Sequence, residues 1–128
     1  MHIRAIVLLG LVFVLLFLPV HSFANKSSVK IEAPQSAEKG SEIVIKIHVS
    51  HEGNNFIHHT NRVDVKINGK LIKSWEFTAR KRPETENFTR EVTYTLTGPI
   101  TVTAEANCNI HGSEGPATWT IAVKQKTP

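Results

Sequence analysis

The chain has 128 residues, 41% of them hydrophobic, and 15 Lys and Arg against 11 Asp and Glu give it a formal net charge of +4. This length fits one small domain, and the single cysteine excludes an internal disulfide. The basic residues are scattered and are not accompanied by exposed aromatic runs, so the composition gives little support to nucleic-acid binding.

The first 24 residues have the pattern of a secretory signal peptide. His2 and Arg4 precede an apolar run over residues 5–18, and the small residues Ser22 and Ala24 follow. The apolar run is shorter than the roughly 20 residues that a membrane-spanning helix needs. We therefore expect cleavage after Ala24, a secreted or periplasmic domain over residues 25–128, and no stable membrane insertion after cleavage.

The remainder of the chain is predicted to be all-β. Apolar residues alternate with polar ones along most segments, as in strands that are buried on one face. Asn68-Gly69 separates two such segments and is a strong signal for a tight hairpin. The pattern predicts an immunoglobulin-like two-sheet sandwich of about seven strands. The predicted strands cover residues 29–33, 43–49, 62–67, 71–77, 92–96, 100–108 and 119–123.

Histidines are concentrated in a short part of the predicted domain. Four of its five histidines lie between His48 and His59, and the fifth, His111, belongs to the run Cys108-Asn109-Ile110-His111-Gly112. Imidazole and thiolate are good ligands for borderline transition metals. The lone thiol three residues before a histidine therefore predicts a mononuclear metal site.

Four side chains form the predicted ligand set. His51 follows a strand with the inward parity of that strand, and the next six residues form a loop that can return His58 to the same pole. Cys108 ends another strand, and His111 lies in the loop that follows it. Taken singly, each residue is better explained as a surface histidine or a buried structural thiol. Taken together, with all five histidines of residues 25–128 confined to residues 48–59 and the run after Cys108, they favour a metal site.

The identity of the metal is predicted from the ligands that the sequence lacks. Structural zinc sites usually contain two or more cysteines, whereas this chain has one. A blue-copper site usually adds an axial methionine after its second histidine. The only methionine here is Met1, within the predicted signal peptide. Mononuclear non-haem iron is the remaining candidate.

The run from Cys108 to Gly112 resembles the Cys-Asn-x-His-Gly signature of superoxide reductases, the desulfoferrodoxin and neelaredoxin group. His51 followed by His58-His59 is similar to the histidine pair of that family, with a spacing one residue longer. Residues 30–34 are similar to the segment after the family's first histidine. The resemblance extends over most of residues 26–123 and implies an immunoglobulin-like sandwich.

The resemblance implies roles for individual residues. His51, His58 and His111 would be equatorial ligands of a mononuclear iron, and Cys108 its axial thiolate. An enzyme with this site is a superoxide reductase, an oxidoreductase that reduces superoxide to hydrogen peroxide. Superoxide is then the small-molecule substrate. Because the iron–rubredoxin cysteines of the family are absent, the electron would come from an external donor protein.

Two family positions differ here or match weakly. Alignment places Ser27 where the family has a fourth equatorial histidine, so His48 or His59 would have to complete the set. Strand parity directs His48 to solvent, and His59 faces away from its neighbour in an extended segment. Lys26 falls at the position of a lysine that attracts superoxide and helps its protonation, which would make it a catalytic residue.

Two other functions fit the same sequence. The strand pattern also resembles the immunoglobulin-like partner subunit of the thiosulfate-oxidation sulfur carrier, a non-catalytic binding module in which Cys108 and His111 have no joint role. A copper electron-transfer protein is the second alternative, disfavoured by the missing methionine. A homo-oligomer is left open by the sequence.

Overall fold

The structure, a computed structural model, describes residues 25–126. The predicted signal peptide, residues 1–24, lies outside the described residues. Within the described part no helix has the length and apolar character needed to cross a membrane.

Within residues 25–126 eight strands form two sheets, which confirms the predicted all-β sandwich. One sheet has three strands in the order β1-β3-β6, and the other has five in the order β2-β8-β7-β4-β5. The strands are β1 Ser28–Glu32, β2 Ser36–Glu38, β3 Glu42–Ser50, β4 Thr60–Ile67, β5 Lys70–Glu76, β6 Phe88–Thr95, β7 Ile100–Cys108 and β8 Ala117–Lys124.

The alternation of apolar and polar residues explains the core. In β3 the side chains of Ile43, Ile45, Ile47 and Val49 are buried, because successive side chains of a strand point to opposite faces. In β7 the same period buries every second residue from Ile100 to Cys108. The inward faces of the two sheets pack against each other and remove these side chains from water. This burial of apolar surface is the main favourable contribution to the free energy of folding.

The predicted hairpin is present between β4 and β5. Asn68 has φ 50° and Gly69 has φ 80°, the two positive values that a type I′ turn requires. The strand not predicted from sequence is β2, a three-residue segment paired in parallel with β8. It is too short to show a period of its own.

The sandwich brings two connecting segments to one end. Residues 51–59 leave β3 in the three-stranded sheet and enter β4 in the five-stranded sheet, so this loop crosses between the layers. Thr60, the first residue of β4, pairs with Cys108, the last residue of β7. The loop after β7 therefore starts beside the end of the 51–59 loop.

Candidate metal centre

Three of the predicted ligands converge at this end of the sandwich. One potential ligand atom each from His51, His58 and Cys108 lies within 4.8 Å of the others. His51 follows β3, His58 belongs to the crossing loop and Cys108 ends β7. The fold therefore brings Cys108 to two histidines that lie 50 and 57 residues earlier in the sequence, and both sheets contribute.

His111 joins the group from the loop after β7. Its Nδ1 lies 3.1 Å from Nε2 of His58 and 3.8 Å from Sγ of Cys108. The ring of His58 is nearly perpendicular to those of His51 and His111, with centroids 4.7 and 4.8 Å away. His111 is exposed whereas His51 is buried, so the cluster extends from the interior to the surface.

His51 has a nitrogen suited to a metal. Its Nε2 lies 3.2 Å from the carbonyl oxygen of Asn25, and because a carbonyl only accepts, Nε2 carries the proton. Nδ1 then presents a lone pair, and it is buried without a hydrogen-bond partner among residues 25–126. Burial lowers the pKa of His51, which favours the neutral form that binds metals. A ring anchored through one nitrogen and open at the other is the usual state of a metal-binding histidine.

Cys108 is held in a tight loop that also positions His111. The amide of Cys108 donates to the carbonyl of Gly112 at 2.8 Å, and the amide of Gly112 donates back at 3.0 Å. Gly112 has φ +80°, a value that favours glycine. The turn directs the amide of His111 to Sγ of Cys108 at 3.4 Å, and a donor at that distance stabilises a thiolate.

Gly53 and Asn55 shape the loop that carries His58, and neither role was predicted from the sequence. A Cβ at Gly53 would lie 2.5 Å from Nδ1 of His58, so the imidazole occupies space that only glycine leaves free. Oδ1 of Asn55 accepts the amides of Ile57 and His58 at 2.9 and 2.8 Å. These contacts fix the turn on which His58 lies.

Asn109 connects the loop of His58 to that of Cys108. Its Nδ2 donates to the carbonyl of Ile57 at 2.7 Å, and its Oδ1 accepts the amide of His59 at 2.9 Å. Its own amide donates to the carbonyl of His59 at 3.1 Å. The residues on both sides of His58 are therefore held by the residue next to Cys108. The asparagine of the signature was visible in the sequence, but this contact was not.

Neither of the two candidate replacement histidines lies with the cluster. On the exposed face of β3, His48 pairs through Nε2 with Glu32 at 2.6 Å and through Nδ1 with Thr89 at 2.8 Å. His59 is buried, with Nδ1 3.2 Å from the carbonyl oxygen of Asn55, and it is outside the converging set. Strand parity predicted that His48 lies on the solvent face of β3, and the structure shows it on that face.

Ser27 and Lys26 lie at the same end of the sandwich. Ser27 is fully buried and its Oγ lies 2.8 Å from Oγ1 of Thr60, while its amide donates to the carbonyl of Gly112. A hydroxyl therefore occupies the position where the resemblance places a fourth histidine. Lys26 is exposed and lines an open cleft of about 510 Å³ together with His51. The carboxylates that line this cleft are those of Glu52, Glu86 and Glu114.

Residues 20–114 match the sequence model of the desulfoferrodoxin family. This match covers most of the chain and includes all four predicted ligands. No curated protein sequence matches the chain.

Solved structures of differently named proteins share this fold. A superoxide reductase (neelaredoxin) from Ignicoccus hospitalis is 21% identical, with a TM-score of 0.62 over 82% of this chain and 87% of that one. A CARDB domain from Pyrococcus furiosus, solved in complex with di-metal ions, is 20% identical, with a TM-score of 0.61 over 82% and 99%. The sulfur carrier protein SoxY from Chlorobium limicola is 14% identical, with a TM-score of 0.53 over 75% and 78%. At these identities the comparisons show a shared fold.

Proposed function

The chain belongs to the desulfoferrodoxin family, and we propose that it is an exported mononuclear non-haem iron protein that reduces superoxide to hydrogen peroxide. The observation that carries the proposal is the convergence of His51, His58 and Cys108 within 4.8 Å, with His111 in contact with two of them. Three imidazoles and one thiolate would hold the iron.

The donor set fits a redox-active ion better than a structural one. Iron bound there would supply one-electron reduction of superoxide, which with two protons gives hydrogen peroxide. A structural zinc site would usually have more thiolates. The buried, unpartnered Nδ1 of His51 and the amide directed at Sγ of Cys108 are features that a bound cation would use.

The surroundings assign roles to further residues. Lys26 lines the cleft beside His51 together with Glu52, Glu86 and Glu114. Its ammonium group would be the cation of this cleft that attracts a small anion and supplies a proton, against the opposing field of the three carboxylates. The carbonyl of Asn25 would keep the proton of His51 on Nε2. The exposed ring of His111 leaves the centre open to solvent on that side.

The remaining parts of the proposal rest on the sequence. Residues 1–24 support export. The single cysteine leaves no ligands for a second, iron–sulfur centre, so the electron would come from another protein.

Metal analysis and superoxide consumption test the function. Protein secreted by an expression host, reduced and loaded anaerobically with Fe²⁺, should bind about one iron per chain and consume superoxide without evolving oxygen. After oxidation it should show a visible thiolate-to-iron absorption band. Cys108→Ser should abolish the band, and His58→Gln should weaken iron binding.

His48→Gln is the matched control, because it removes a histidine that lies outside the cluster. It should retain both iron and activity. Colourless wild-type protein that binds no iron would overturn the proposal and favour a non-catalytic binding module. A copper-specific band with electron transfer but no superoxide consumption would favour the copper alternative.

A further inference from the structure

Exposed apolar side chains are concentrated beside the metal centre. Six large hydrophobic residues within residues 25–126 are exposed, and three of them lie in the two loops that carry His58 and His111. Phe56 is 63% exposed, Ile57 is 72% exposed and Ile110 is 53% exposed. Scattered single residues of this kind are common on surfaces, but a group around a site indicates an interaction surface.

The two loops are joined where these residues lie. Nδ2 of Asn109 donates to the carbonyl oxygen of Ile57 at 2.7 Å, and Ile110 follows Asn109 directly. Phe56 precedes Ile57 in the same turn. In the loop after β7, Ile110 is followed by His111, whose exposed ring contacts His58. We call Phe56, Ile57 and Ile110 the apolar rim.

We propose that the apolar rim is the docking surface for an acidic electron-donor protein. This inference rests on the proposed function, which requires an external electron. A small hydrated anion such as superoxide gains nothing from apolar contacts, whereas protein interfaces have aromatic and aliphatic centres. A donor seated on the rim would lie against the exposed ring of His111, the most accessible part of the cluster.

Charge selects the kind of donor. Arg80, Lys81 and Arg82 are exposed in the loop between β5 and β6, and in the described part of the chain none of them pairs with a carboxylate. Nδ2 of Asn54 donates to the carbonyl of Pro83 at 2.8 Å, which ties this basic loop to the loop of the rim. An apolar centre with unpaired cations beside it is complementary to an acidic partner.

A metal-independent titration tests the docking surface first. Reduced flavodoxin is a suitable probe for kinetics because it is a small acidic one-electron donor, and oxidised flavodoxin is suitable for binding. Added to ¹⁵N-labelled, metal-free protein, oxidised flavodoxin should shift the amide signals of Phe56, Ile57 and Ile110, and added salt should reverse the shifts. Shifts confined to other surfaces would overturn the proposal even if the protein binds no iron.

Electron transfer gives the second test. Flavodoxin hydroquinone gives one electron to the ferric protein and becomes the semiquinone. The measured quantity is the second-order rate constant for reduction of the ferric protein by flavodoxin hydroquinone, divided by the rate constant for its reduction by dithionite. Ile57→Ser and Ile110→Ser should each lower this ratio about tenfold, the size of an interface hot spot. Lys81→Glu should lower it at low salt and raise the corresponding ratio for cytochrome c, a basic donor.

Leu71→Ser is the matched control. Leu71 is 52% exposed on β5, outside both ligand-bearing loops, and its replacement should leave the ratio unchanged. Equal ratios for the rim variants and the wild type would overturn the proposal. It would also be overturned if the wild type were a dimer that Ile57→Ser converts to a monomer, since the rim would then bind a second copy of the chain.

Discussion

The imidazole of His58 lies against the backbone of Gly53, at a distance that leaves no room for a side chain: a Cβ there would be 2.5 Å from Nδ1. Gly53 also has φ +145°, a conformation that residues with a Cβ rarely adopt. One glycine therefore sets both the path of the crossing loop and the place of the most central ring of the cluster.

Gly53→Ala should weaken metal binding. We expect the alanine methyl to displace His58, lowering the affinity for Co²⁺ by about 10- to 100-fold, as for loss of a contact that orients a ligand. A titration followed by the visible spectrum of bound Co²⁺ measures this. Gly115→Ala is the control, because Gly115 has φ +110° and nothing within 4 Å of the added Cβ. Equal affinity losses in both variants would show that backbone strain, not the ring, is responsible.

Asn109→Ala should separate the two ligand-bearing loops. It removes the side-chain hydrogen bonds to Ile57 and His59 and the longer one, 3.9 Å, that Oδ1 accepts from Sγ of Cys108. The free energy of unfolding should fall by about 2 kcal/mol. It should also weaken Co²⁺ binding by about 10- to 100-fold and change the Co²⁺ spectrum.

Asn107→Ala controls for the loss of stability alone. The Asn107 side chain makes two hydrogen bonds, to Asn61 at 2.8 Å and to the carbonyl of Cys108 at 3.0 Å, and neither reaches the His58 loop. We expect a similar loss of stability on urea denaturation with an unchanged Co²⁺ spectrum. A normal spectrum in the Asn109 variant would contradict the positioning role.

His51 should titrate below the ordinary histidine value in the metal-free protein. Burial lowers its pKa from 6.5 because the charged form loses hydration. The unfolded chain then binds more protons than the folded one between the folded pKa and 6.5. Stability is therefore full above pH 6.5 and is lost as the pH falls through that window. NMR of the imidazole measures the midpoint, and a value of 6.5 or higher would contradict the prediction.

Glu84 should remain ionised in strongly acidic solution. A bidentate contact with Arg90, at 2.7 and 2.9 Å, lowers the pKa of Glu84 to about 2. The contribution of this pair to stability is present above the ordinary value of 4.5 and is lost as the pH falls through about 2. In Arg90→Gln, carboxyl NMR should show the midpoint returning toward 4.5. Arg62→Gln, which removes the cation beside Asp64, should leave the Glu84 midpoint unchanged.

The sequence was most informative where local pattern determines structure. The alternation in β3 and the Asn68-Gly69 turn predicted a strand and a hairpin that the structure shows. The strand β2 could not be predicted, because its three residues are ordered by parallel pairing with β8, far along the chain.

The same distinction applies to the site. Residue type and loop position were enough to predict that His51, His58 and Cys108 meet. The roles of Gly53 and Asn109 depend on loop conformation and on partners up to 52 residues away in the sequence. Neither the composition nor the periodicity of hydrophobic residues reveals such contacts. For Ser27 the alignment was informative: it placed this residue at the position of the family's fourth histidine. The structure adds that the Ser27 hydroxyl is hydrogen-bonded to that of Thr60.

The crossing loop has a consequence for how the protein can be assayed. His51 follows a strand of one sheet and Cys108 ends a strand of the other. A cation held by both residues would therefore cross-link the two sheets. Separating the layers would then require its release, so the melting temperature should rise with the concentration of free ion. Thermal denaturation can thus rank candidate ions by affinity before any catalytic measurement is made.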